Sequence, residues 1–129
     1  MDEKIEILLA EDEEHIAKLV AFKLSKEGFA VTIARNGQEA MDLFGGKPWK
    51  LVILDVMMPV MDGWQVLKAL RSTMASQVPI LMLTAKSFRQ DQMDAADFGA
   101  TEFLKKPFDP AELAARVRKM TSGTAGTRG

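Results

Sequence analysis

The sequence predicts an α/β fold built on a parallel sheet covered on both faces, and two observations predict it. Five short apolar or β-branched runs recur along the chain: Ile5 to Ala10, Phe29 to Ala34, Leu51 to Leu54, Pro79 to Thr84 and Thr101 to Leu104. The stretches between them carry apolar residues at helical spacing. Strands separated by helices of this length read as βαβ units, which place the strands parallel and bury them on both sides. The nearly continuous apolar character of the middle runs fits that burial.

Each helix has its own signals. The first carries Ile16, Leu19, Val20 and Leu24 as a stripe and stops at Gly28. The second opens at Asn36, a good N-cap, and stops at Gly45 and Gly46. The third runs from Asp62 or Gly63 through Val66, Leu67 and Leu70, and the fourth from near Ser87 to near Gly99. The fifth has Asp109 and Pro110 at the cap and first-turn positions, then Leu113, Val117 and Met120.

Bulk properties narrow the class. A chain of 129 residues buries one core, so residues 1–120 are expected to form one domain and 121–129, TSGTAGTRG, a disordered tail or linker stub. With 47% hydrophobic and 27% charged residues, the balance is that of a globular protein. No apolar run approaches the ~18 residues a bilayer crossing needs, and the acidic start MDEKIEILLAEDEE is unlike a secretory signal. A cytoplasmic location without membrane association is expected. The absence of cysteine excludes disulfides and thiol catalysis, and a net charge of -1 gives no footprint for direct nucleic-acid binding.

In an open parallel sheet, ligands bind beyond the carboxyl ends of the strands, where the strand order reverses. Glu11 and Asp12 follow the first strand and Asp55 follows the third, so three acids are expected to converge there. Crowded carboxylates either take up a proton or share a cation, and hard oxygen ligands at an open site suit Mg2+. Asp55 is the hardest to explain structurally, because it ends a buried strand and precedes the mostly apolar VMMPVM. Glu13 and Glu14 read instead as a solvated first turn that favours the helix dipole. Thr84 and Lys106, at the ends of the fourth and fifth strands, add a hydroxyl and an ammonium on the same edge. An oxygen nucleophile, a divalent cation and two donors together make a phosphoryl-transfer site.

The segments ILLAEDE, LVILDVMMPVMDGWQVL, PILMLTAK and GATEFLKKPF, in that order, resemble the receiver domains of two-component response regulators over residues 4 to 120. That resemblance implies a flavodoxin-like (βα)5 three-layer sandwich with strand order 2-1-3-4-5. It implies Asp55 as phosphoacceptor, Thr84 and Lys106 as phosphoryl contacts, and Asp12, Asp55 and the Met57 carbonyl as Mg2+ ligands, with Glu11 acting through water. The family's acid pair is commonly Asp-Asp, and here it is Glu11-Asp12. A cis Lys106–Pro107 bond is expected, and Phe103 takes the aromatic switch position, without the hydroxyl of the tyrosine often found there. Gly63 and Gly99 are ascribed to turn geometry.

The family implies a signalling switch that catalyses only its own phosphoryl transfer and dephosphorylation. Its donor would be a sensor histidine kinase or histidine phosphotransfer protein. Phosphorylation of Asp55 would draw Thr84 inward, let Phe103 rotate, and alter the face made by the fourth helix, fifth strand and fifth helix. Phe88 and Phe98 on the fourth helix mark a candidate partner or homodimer surface on that face. Met57 and Lys86 overlook the acceptor in the family pattern and are expected to slow attack by water. His15 reads as a surface residue of the first helix. A flavin module would need a phosphate cradle where this chain has EDEE, and an aspartyl-phosphate phosphatase would need an acid at Met57. A decayed, purely structural receiver would be expected to have lost one of Asp12, Asp55, Thr84 and Lys106.

Overall fold

The computed structural model describes residues 4–84 and 99–122. Lys86, Phe88, Phe98 and the rest of the expected fourth helix before Gly99 lie outside the described residues, as do residues 123–129 of the expected tail. Five strands, β1 (Ile5–Ala10), β2 (Phe29–Ala34), β3 (Leu51–Asp55), β4 (Ile80–Thr84) and β5 (Glu102–Lys105), form one sheet of order β2-β1-β3-β4-β5. All four pairings are parallel. The predicted order holds, and the strand order reverses at β1, between β2 and β3.

Alternation along the strands divides the core into two layers. Ile7, Leu9, Leu51, Ile53, Leu81, Leu83 and Leu104 pack on one face against α1 (Glu14–Lys26) and the C-terminal helix (Pro110–Ser122). Leu8, Ala10, Val52, Leu54, Ile80 and Met82 pack on the other against α2 (Gly37–Phe44) and α3 (Gly63–Lys68). Side chains of successive strand residues point to opposite faces, so a continuous apolar run fills both layers at once. An ion pair between Arg118 and Glu27 ties the C-terminal helix to the end of α1.

The helix ends follow their signals. Asn36 Oδ1 accepts the Glu39 amide at 2.8 Å, and Asp62 forms a reciprocal capping box with Gln65. Asp109 Oδ1 accepts the Ala111 amide at 2.9 Å ahead of the last helix. Gly28 turns the chain out of α1 with φ 95°, a conformation that only glycine adopts cheaply.

The structure corrects several element expectations. Leu19 is 45% exposed; α1 buries Ala17, Val20 and Leu24, which at spacings of three and four share one helix face that Leu19 lies off. Strand β3 includes Asp55 itself. The C-terminal helix runs past Met120 to Ser122, with Thr121 buried and its hydroxyl donating to the Val117 carbonyl at 2.8 Å. Helix α3 is shorter than its apolar stripe and continues as a π-helical turn, Ala69–Thr73, which keeps Leu70 buried. Among the described residues no helix is long and apolar enough to cross a membrane.

Candidate functional site

Register places the acids. Ala10 pairs with Leu54 across β1 and β3, so the next residue of each strand, Glu11 and Asp55, emerge side by side at the carboxyl edge. The Glu11 amide still donates to the Ala34 carbonyl at 3.0 Å, which fixes its backbone to β2. Glu11 and Asp55 are buried, 1% and 3% exposed, while Asp12 faces solvent. Carboxylate oxygens of all three lie within 4.8 Å of one another.

Lys106 closes the group. Its amide donates to the Thr84 carbonyl at 2.7 Å just past β5. Its Nζ then stands 3.1 Å from Glu11 Oε1 and 3.1 Å from Asp55 Oδ2, with exposed Glu13 at 4.0 Å. The Lys106–Pro107 bond is cis, as expected. Thr84 is buried at the end of β4, opposite Lys105. The edge thus brings together Glu11, Asp12, Asp55 and Lys106, with Thr84 on the adjoining strand end.

Two acids and one cation leave an excess of negative charge in a poorly hydrated place. Burial, and then repulsion from Asp55, raise the Glu11 carboxyl from 4.5 to about 7, against the pull of Lys106. Burial likewise raises Asp55, opposed by Lys106 and by the Met57 amide 3.4 Å from Oδ1. Burial alone would lower Lys106, but the charges of Asp55 and Glu11 outweigh it and hold the ammonium above its ordinary value. Among the described residues, Glu11 Oε1 has no partner beyond its 3.1 Å ion pair with the Lys106 ammonium. Three carboxylates within 4.8 Å of one another, two of them buried and sharing a single ammonium, fit a small hard dication such as Mg2+.

The loop after Asp55 is built tightly. Val56 and Met58 are buried, while the side chains of Met57 and Val60 are exposed. Val60 has φ 70°, and the Met61 amide donates across it to the Pro59 carbonyl at 2.7 Å, a strained γ-turn for a β-branched residue. Gly63 differs from expectation. A Cβ there would lie 2.3 Å from the Asp55 carbonyl oxygen, so close approach of α3 to the Asp55 backbone, not a turn, demands glycine. Gly99, with φ 92°, does follow turn geometry.

Phe103 is half-buried against the α2 and α3 layer, and its carbonyl accepts a hydrogen bond from Arg116 at 2.8 Å. His15 is exposed on α1, and Glu14 pairs with Lys18 at 2.9 Å. One fastening had no sequence signal. Arg71, on the π-helical turn, donates to the carbonyls of Gly99 at 2.8 Å and Ser76 at 3.0 Å. A lone arginine in a polar stretch looks like any surface cation until its carbonyl partners are known.

Residues 7–118 match the family model of the response regulator receiver domain. The chain belongs to that family. The receiver is 44% identical over 116 residues, 90% of its length, to an uncharacterized transcriptional regulatory protein, YkoG, of Bacillus subtilis. It is 39% identical over 88% of its length to the transcriptional regulatory protein PcoR of Escherichia coli. It spans half the length of each of these relatives. Among solved structures, the receiver domain of Francisella response regulator 1452 superposes with a TM-score of 0.89 at 30% identity, covering 94% of this chain and 99% of that one. Vibrio cholerae chemotaxis protein CheY4 superposes with a TM-score of 0.85 at 31% identity, covering 92% and 99%. The fold is therefore that of the CheY-like receivers, a family of phosphorylation-dependent signalling switches that binds Mg2+ through acidic residues.

Proposed function

We propose that this receiver accepts a phosphoryl group on Asp55 from a histidine kinase or histidine phosphotransfer protein and passes the signal on through a changed surface. The observation that carries the reading is Asp55 itself: buried, adjacent to two other acids, and 3.1 Å from Lys106 Nζ. An Asp55 carboxylate oxygen forms the new P–O bond as the donor's P–N bond breaks, and the departing imidazole takes up a proton. Asp12, Asp55, the Met57 carbonyl and, through water, Glu11 would hold Mg2+. When bound, the cation offsets charge on the phosphoryl oxygens.

Lys106, already between Glu11 and Asp55, turns its ammonium to a phosphoryl oxygen. The Thr84 hydroxyl donates to another. Movement of Thr84 frees space for Phe103 to rotate, and β5 and the C-terminal helix present the output face. That face would serve a downstream partner or a phosphorylation-dependent homodimer. Since the named relatives are transcriptional regulators twice as long, the output would pass to a downstream partner or domain rather than by the receiver touching DNA itself. A cytoplasmic setting suits a kinase donor.

The test is labelling by acetyl phosphate. Stable, Mg2+-dependent labelling of the unsubstituted chain and none of Asp55→Asn is expected; undiminished stable labelling of the variant would refute the assignment. In a chase the label should be lost slowly. The exposed Met57 side chain hinders water, so a half-life of seconds indifferent to Met57 substitution would contradict that part.

A further inference from the structure

The structure assigns Gly37, on a different helix from any proposed ligand, as a positioning residue for the Mg2+ site. This rests on the functional reading above. Gly37 is the first residue of α2 and is buried. A Cβ on it would lie 1.9 Å from the Met61 carbonyl oxygen and 2.7 Å from both the Met61 carbonyl carbon and Cβ. Backbone would have to move, because no flexible side-chain tip can give way there.

The direction of that movement is constrained. The far end of the loop is fixed by the Asp62–Gln65 capping box and by the Gly63 amide, which donates to the Val56 carbonyl at 3.0 Å. The near end is fixed by the Val56 amide, which donates to the Leu83 carbonyl at 3.0 Å. Between those two fixed ends, Met57 to Met61 are the part of the loop that takes up a push, and they include Met57, whose carbonyl is a proposed Mg2+ ligand. Pro59 and the γ-turn at Val60 make that segment stiff, so a displacement at Met61 is passed to Met57 rather than dissipated. Gly37 thus acts through Met61 and Val60 on the position of the Met57 carbonyl.

The experiment is a double-mutant cycle on the full chain, reading Mg2+ affinity by calorimetry and the Met57 amide resonance of the metal-free protein. Gly37→Ala should weaken Mg2+ binding about ten-fold or more, the scale of an outer-shell contact, and shift the Met57 resonance. With Val60→Gly also present the turn is flexible, and Gly37→Ala should then cost little further. Gly45→Ala, where a Cβ meets nothing within 4 Å, should leave affinity unchanged. Wild-type affinity in folded Gly37→Ala overturns the inference, as does an undiminished effect in the Val60→Gly background. Should Gly37→Ala not fold, Val60→Gly alone decides: several-fold weaker binding supports the inference and unchanged binding overturns it. If the unsubstituted chain binds Mg2+ no better than Asp55→Asn, the reading of the site fails first and this inference falls with it.

Discussion

Glu11 concentrates the chemistry of the site in one side chain. Where the family commonly has a second aspartate, a longer carboxylate reaches Lys106 and sets Oε1 3.1 Å from its ammonium. The raised pKa of Glu11 makes a prediction for the metal-free protein. The unfolded carboxyl titrates near 4.5 and the folded one at about 7, so between those values the folded state holds a proton that the unfolded state has lost. The resulting stability is fully present below 4.5 and disappears as pH rises through about 7. Thermal unfolding in chelator should show Glu11→Gln gaining on the unsubstituted chain across that window; parallel pH profiles would contradict the assignment. The acids, Thr84 and Lys106 were legible in the sequence because each ends a strand or follows one within two residues, where topology gathers them. The burial of Glu11 beside an exposed Asp12 was not, since a strand's last inward-facing position depends on register with its neighbours.

The elements were legible wherever a cap or a strand run marks them. The π-helical turn Ala69–Thr73 was not, because the stripe through Leu70 suits an α-helix equally well. Nor was the tie that this turn makes. Arg71 fastens it to the carbonyls of Gly99 and Ser76, and Gly99 lies three residues before β5, on the proposed output face. Arg71→Ala would leave those carbonyls to water and should lower stability by about 1–3 kcal/mol, as measured by denaturant unfolding. A change within error would mean that solvent replaces the guanidinium without loss. Gly37 and Gly63 were opaque for a related reason: a glycine needed for close approach looks in sequence like any glycine at a helix start, and only coordinates reveal the backbone facing it.

For the molecule as a whole, the parallel sheet followed from apolar runs alternating with helical stripes, whereas its 2-1-3-4-5 order came from family resemblance. Order matters because it brings the ends of β1 and β3 together, and so makes one site from residues more than forty positions apart. The receiver spans half the length of its transcriptional-regulator relatives, and in the proposed reading the sheet edge is where a signal would be received and the helical flank of β5 where it would leave. The central claim is that the phosphoryl group resides on Asp55. Labelling with acetyl phosphate and Mg2+, reducing the acyl phosphate with borohydride, and mapping peptides by mass spectrometry tests it directly. The account predicts homoserine at position 55 and at no other acid; reduction at Glu11 or Asp12, with Asp55 intact, would contradict it.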